Sequence, residues 1–315
     1  MPAWNAEATI LRSIASAAQQ DGVEVVVADD SSRDGTVAAV RADGRARVLT
    51  TSVNGGPAAA RNRAIDAATG DWIAVLDADD TLRPGALAHL RAVAGETGAD
   101  VVLCNLQRVD PAGRPIEARA YIDRPADAPP EPVTLSGFLA ANHGRAGTRT
   151  LGYLKPLFRR AFLEARGLRY DETLRNGEDA HLVMECLAAG GRVVVSPRAD
   201  YLYTVREGSL SHRADPDHLR ALVAAGDRFA ARHADALSPE SRSLLAARRR
   251  ALVEMAESEA ILQAIKHRRP GAAASGLWNH PNALRRVLRQ LAEAAGNRLD
   301  ALRREEAAPV RRSGR

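Results

Sequence analysis

The chain has 315 residues, 45% of them hydrophobic and 26% charged, and a formal net charge of +5 at pH 7. That is ample for one sizeable core plus an appendage, and no apolar run approaches the ~20 residues of a membrane span. The start shows no signal-peptide pattern, Cys104 and Cys186 lie in apolar segments rather than in a disulfide or metal framework, and the basic excess lacks the interleaved aromatics of a nucleic-acid binder. A reducing cytoplasm is the expected setting.

In chain order, Ala6 to Gln19 is an amphipathic helix, Val23 to Ala28 a β-branched strand, Val37 to Arg41 a helix and Arg47 to Thr50 a short strand. Pro57 opens a helix over Ala58 to Ala68. Trp72 to Leu76 reads as a buried parallel strand running straight into Asp77, Asp79 and Asp80. A helix over Pro84 to Ala94 and a strand over Asp100 to Cys104 complete a β-α-β-α rhythm, which predicts an α/β fold with a mostly parallel sheet and helices on both faces. Val109 to Ala146 carries six prolines and reads as a surface excursion. Strands at Leu154 to Phe158, Arg192 to Val195 and Tyr201 to Val205 surround a helix from Glu178 to Ala189. From Asp215 the pattern is wholly helical.

The start departs from this rhythm. Met1 to Glu7 leads into a helix without a preceding strand, so the expectation is that the first strand is missing and that an upstream start encodes it.

The densest chemistry lies at Asp77 to Asp80. Like charges at this spacing are costly without a cation or ligand among them, and the carboxyl end of a strand is where α/β sheets bind ligands. This points to a polyanion held through a divalent metal. Asp29-Asp30 end a second strand. Glu178-Asp179 sit at a helix start, where the macrodipole alone would explain them.

The ordered motifs resemble glycosyltransferase family 2, with the GT-A fold. Pro2-Ala3-Trp4-Asn5-Ala6-Glu7 is similar to the family's P-x-Y-N-x-E opening. Val26 to Thr36 resembles its V-D-D-G-S-x-D-G-T, Gly56 to Asn62 its G-x-x-x-A-R-N, and Asp77-Ala78-Asp79-Asp80 its D-x-D. Asn176 to Asp179 resembles its G-E-D element, and Tyr203 to Ser211 its Y-x-x-R-x-G-S-x-S. The resemblance implies an inverting transfer of sugar from a nucleotide-diphosphate sugar, a UDP-sugar by expectation, to a hydroxyl of a glycan or lipid-linked acceptor. It assigns Pro2, Ala3, Trp4, Glu7, Asp30, Arg61, Asp77 and Asp79 to the nucleotide sugar. It assigns Asp79, with Asp77 or Asp80, to a divalent metal, Mg2+ or Mn2+. Asp179 is the expected general base, with Glu178, Arg206 and His212 near the diphosphate or acceptor.

The domains expected are a catalytic GT-A domain over 1–212, a helical region over 213–306 and a disordered tail over 307–315. The setting expected is cytoplasmic, with peripheral contact at the inner membrane face and no nucleic acid partner. Two rival readings remain at this point. Asp77-Ala78-Asp79-Asp80-Thr81 also fits the D-x-D-x-T of haloacid-dehalogenase-like phosphatases, with Asp77 as nucleophile. A non-catalytic nucleotide-sugar-binding subunit is the other.

Overall fold

The computed structural model describes residues 1–142, 150–205, 215–290 and 292. Two compact units form, one from Met1–Arg213 with Ala224–Arg248, the other from Ala214–Val223 with Arg249–Arg315. Residues 224–248 therefore pack with the first unit, where the helical pattern alone had placed a boundary near 212. The tail expected to be disordered lies outside the described residues.

The first unit opens with a strand after all. β1 (Pro2–Ala3) is two residues long and pairs in parallel with β2 (Val26–Asp29), through Pro2 opposite Ala28 and Ala3 opposite Asp29. The Asp30 amide extends this ladder to the Ala3 carbonyl at 2.8 Å. Two residues with Pro2 among them are too short for a hydrophobic pattern to mark. α1 (Ile10–Ala18) follows, burying Ile10, Ile14 and Ala17 at i, i+4, i+7 spacing. α2 (Thr36–Asp43) stops at Gly44, and β3 (Arg47–Thr50) completes a parallel β1-β2-β3 sheet.

α3 (Pro57–Ala67) starts at Gly56, whose φ of 90° and ψ of 172° suit only glycine, with Pro57 fixing the first helical φ. The helix lays Ala60 and Ala64 on Val26 and Ala28 of β2. Small alanines let the helix approach the sheet closely, which carries Arg61 inward.

A second, six-stranded sheet holds β4 (Trp72–Ala74), β5 (Thr81–Leu82), β6 (Val101–Val109), β7 (Glu131–Val133), β8 (Lys155–Arg159) and β9 (Val193–Thr204). Its order is β4-β8-β6-β9-β5, with β7 against β9. β4 is antiparallel to β8, so the parallel pairing expected for Trp72 to Leu76 is corrected, while β6 and β9 run in parallel. Apolar runs report burial on both faces and are blind to the direction of the neighbour.

β9 unites what reads as two strands around Pro197. The β6–β9 register shifts at Asn105, whose side-chain amide donates to the Pro197 carbonyl at 2.7 Å, so the ladder continues past the proline. The proline-rich stretch is not wholly superficial either. It contains β7 and α5 (Leu135–Ala141), which is capped by Thr134 and buries Phe138 and Leu139 completely.

α4 (Ala86–Thr97), α6 (Arg160–Ala165) and α7 (Glu178–Ala188) pack on the sheets. Further on come α8 (Pro216–Arg232), α9 (Pro239–Lys266) and α10 (Pro270–Asn279). In the second unit Ile261, Ala283 and Val287 form a small core of their own.

Gly56 offers a test of how the fold holds α3. A Cβ there meets Arg175 Nη1 at 3.0 Å on top of the unfavourable φ. Gly56→Ala is expected to cost about 1–3 kcal/mol in urea unfolding, against less than ~0.5 kcal/mol for an exposed substitution away from special backbone.

Candidate functional site

The turn after β4, the second turn of α3, the start of β8 and the first turn of α7 meet at one cluster of charges. Arg61 lies in a helix that could have shown it to water, yet it is only 6% exposed. Its Nη2 donates to Asp77 Oδ1 at 2.7 Å, and its Nη1 donates to Glu178 Oε1. Nη2 also lies 3.8 Å from Asp179 Oδ2. Lys155 supplies the second cation: its Nζ donates to Asp77 Oδ2 at 2.7 Å and to Asp179 Oδ2 at 3.2 Å. Tyr170 donates its hydroxyl to Asp179 Oδ1 at 2.9 Å and presents its ring to Arg61 at 5.5 Å. Three acids thus surround two cations.

The electrostatic consequences follow from distance. Burial alone would raise the Asp77 carboxyl, but Lys155 and Arg61 outweigh it and hold the group well below the usual carboxylate range. Asp179 is likewise lowered, with burial opposed by Arg61 and Lys155. Lys155 is raised, because Asp77 and Asp179 overcome its desolvation. All three groups are therefore charged at neutral pH.

Asp80 belongs to a different environment. It is 1% exposed, accepts from the Tyr201 hydroxyl at 2.6 Å through Oδ2, and accepts from the Thr204 amide at 2.7 Å through Oδ1. Burial, followed by the charges of Asp77 and Asp79, pushes its carboxyl up to about 8. The contacts with Tyr201 and Thr204 tie the D-x-D turn to β9. Among the described residues, no three His, Cys, Asp or Glu side chains converge as a metal-ligand set. Asp79 is half-buried in the same turn, and Arg12 Nη2 fixes its carbonyl at 3.0 Å.

The other expected contacts sort themselves by what already holds them. Asp30 accepts from the Gly55 amide at 2.8 Å and the Gly56 amide at 2.7 Å, so its carboxylate shapes the turn into α3. Glu7 is exposed and accepts from the Gly35 amide at 2.9 Å, bracing the loop after β2. Both side chains thus have a structural duty in addition to the ligand contact expected of them. Pro2 and Ala3 form β1, and Trp4 follows it 56% exposed. Arg206 and His212 lie outside the described residues.

Four residues were given no role by the sequence alone. Asp29 is 2% exposed, and its Oδ1 has no hydrogen-bond partner while Oδ2 accepts from the Ser32 amide. Asn62 brackets the Tyr170 backbone, accepting its amide at 2.8 Å and donating to its carbonyl at 2.9 Å. Tyr170 and Lys155 gave only weak signals. A lysine inside an apolar run is the stronger one, since Lys155 and Lys266 are the only lysines in the chain.

The raised Asp80 carboxyl has a measurable consequence. Because its folded pKa lies above its unfolded one, it favours the fold at low pH, and that contribution is lost as pH rises toward about 8. Asp80→Asn, which can keep both contacts, is expected to fall less in melting temperature than the parent between pH 5 and 9. Parallel curves would show that Asp80 is ionised throughout.

Comparison with known proteins adds the lineage. The model for glycosyl transferase family 2 matches residues 1–144. The succinoglycan biosynthesis protein ExoO of Rhizobium meliloti is 40% identical over 289 residues, covering 90% of this chain and 82% of ExoO. Among solved structures, Staphylococcus aureus TarS residues 1–349 in complex with UDP-GlcNAc superposes with a TM-score of 0.58 at 22% identity, over 89% of this chain and 90% of that one. The chain spans 38% of a longer TarS structure. The mannosyltransferase PcManGT of Pyrobaculum calidifontis, in complex with GDP-Man and Mn2+, gives 0.54 at 22% identity over 95% and 79%. The two superpositions show the GT-A fold. That fold leaves no place for a haloacid-dehalogenase-like phosphatase. With ExoO matched at this identity over most of both chains, the protein belongs to glycosyltransferase family 2.

Proposed function

We propose that this protein transfers one sugar, with inversion, from a nucleoside-diphosphate sugar to a hydroxyl of a glycan or lipid-linked acceptor in surface-polysaccharide assembly. The observation that carries this reading is the meeting of Asp179, in the first turn of α7, with Asp77 at the end of β4, through Lys155 and Arg61. A strand-end carboxylate on the donor side and a helix-start carboxylate beside it are what an in-line displacement at an anomeric carbon needs. The name of ExoO supports the polysaccharide class, and the UDP-GlcNAc complex of TarS supports a UDP-sugar.

Asp179 is the base in this reading. The hydroxyl of Tyr170 and the ammonium of Lys155 occupy its two oxygens and aim it, while the nearby cations keep it deprotonated. Its low basicity suits a late proton transfer, when the acceptor oxygen has already bonded to carbon and become acidic. Arg61 is buried among acids, so its role is to hold Asp77 and Glu178 in place rather than to reach the base of the nucleotide. Asp29 takes the place given to Asp30: its unpartnered buried oxygen at the end of β2 suits an N–H or hydroxyl donor of the nucleoside. Trp4 and Ala3 stand beside that strand end.

The residues fit a divalent ion held by Asp79 and the donor's own phosphates, and do not fit a cage of Asp77, Asp79 and Asp80. Bound there, Mg2+ or Mn2+ would neutralise charge on the departing diphosphate. Work on a lipid-linked acceptor would bring the protein to the inner face of the membrane.

Asp179→Asn is expected to lower kcat by at least ~100-fold while leaving UDP affinity within twofold by calorimetry. Undiminished turnover removes Asp179 from this role. A panel of UDP, GDP and dTDP sugars, each with Mn2+ or with chelator, tests the metal. The cognate donor at 100 times its Kd should add about 2.7 kcal/mol of stability, and chelation should remove most of it.

A further inference from the structure

Helix α7 has two working faces. Its first turn supplies Glu178 and Asp179 to the charge cluster, while His181, Glu185 and Ala189, at spacings of four, line a separate cavity of about 540 Å3. The loop 166–171 and the end of α8 form the other walls, and every lining residue lies in the first unit. The volume is that of a small-ligand site, for which ~300–1,000 Å3 is usual.

The charge of the walls is lopsided. Arg166, Arg169, Arg228 and Arg232 face the cavity against only Asp171 and Glu185. Asp171 accepts from Arg228 at 2.6 Å, and Glu185 is shared between Arg232 and His233, each at 2.8 Å. Arg169 is paired with Asp66, outside the lining. The Arg166 guanidinium has no acidic partner among the described residues.

A fifth arginine lies close by. Arg248 Nη1 approaches Gly226 of α8, and its charge reaches His181, whose pKa is lowered chiefly by burial, with Glu185 and Asp171 opposing and Arg248 and Arg228 adding to the fall. Arg248 has no acidic partner among the described residues, and burial lowers its own pKa. Arg248 is half-buried, where a guanidinium without counter-charge is unfavourable, and the planar guanidinium fork with several donors matches phosphate oxygens in pairs. The cavity is roomier than one phosphate, so the anion arrives with a sugar-sized or lipid body attached.

We propose that this cavity binds a phosphate or diphosphate group of a glycan or lipid-linked molecule, at a site distinct from the donor's. Tyr170 is the shared wall: it lines the cavity and donates to Asp179. An occupant is therefore one side chain from the base, placed to anchor a phosphorylated acceptor. That anchoring role rests on Asp179 being the base; the binding itself does not.

The test is calorimetry with inorganic pyrophosphate, run with and without saturating UDP and Mn2+. One site that persists under saturating UDP is expected, weakened at least tenfold in Arg166→Glu and in the Arg228→Ala/Arg232→Ala double variant, with UDP affinity unchanged in both. Arg166 is exposed and without an acidic partner among the described residues, so its variant should fold even if the double variant does not. Displacement of pyrophosphate by UDP, or equal affinity in the variants, overturns the proposal. Phosphatidic acid vesicles then distinguish the source: competition with pyrophosphate supports a lipid headgroup, and its absence supports a soluble phosphate at the same site. If UDP itself fails to bind while pyrophosphate does, the donor reading fails and the anion site stands.

Discussion

Everything at the catalytic end of this molecule depends on the neutralisation of buried charge. Asp77, Glu178 and Asp179 come from β4 and α7, and Arg61 and Lys155 from α3 and β8, and each is largely withdrawn from water. Removing one partner from such a group typically costs about 3–5 kcal/mol, because the others keep their desolvation penalty and lose their compensation. The pairing therefore holds α3, β8, α7 and the turn after β4 against one another. It explains why α3 is rich in alanine, so that it can bring Arg61 over the sheet, and why Asn62 beside it clamps the Tyr170 backbone.

Neighbouring acids are separated by environment rather than by residue type. Asp77 and Asp80 stand three positions apart, yet cations hold one far below the ordinary carboxylate range while burial lifts the other to about 8. The same division operates on β2. Asp30 satisfies two turn amides, whereas Asp29 next to it keeps a buried oxygen without a partner. Asp80 ties the D-x-D turn to β9, and Asp30 holds the entry to α3.

Much of the architecture was legible in the pattern. The alternation of helix and strand through the first hundred residues, the helix after Pro57 and the helix at Glu178 all lie within a few residues of their expected places. Misread elements have physical causes. β1 is too short to carry a period. β4 is buried on both faces, so its sequence does not disclose that β8 runs against it. Prolines suggested an excursion at 109–146, yet Pro132 lies in β7, which pairs only with β9, and Phe138 reaches the core. Pro197 suggested a break that an asparagine side chain bridges.

By itself, the sequence determined the family, the α/β rhythm and the short list of acids and arginines from which the site is made. Those are properties of local order: motifs in sequence and strands ending in carboxylates. Only the tertiary structure decided which acid does what. Burial raises the Asp80 carboxyl, Asp30 and Glu7 each hold backbone amides, and Lys155, with no motif to announce it, stands between Asp77 and Asp179. A carboxylate's role is set by the charges and donors within a few ångströms of it, and those come from residues up to 124 positions away in the chain.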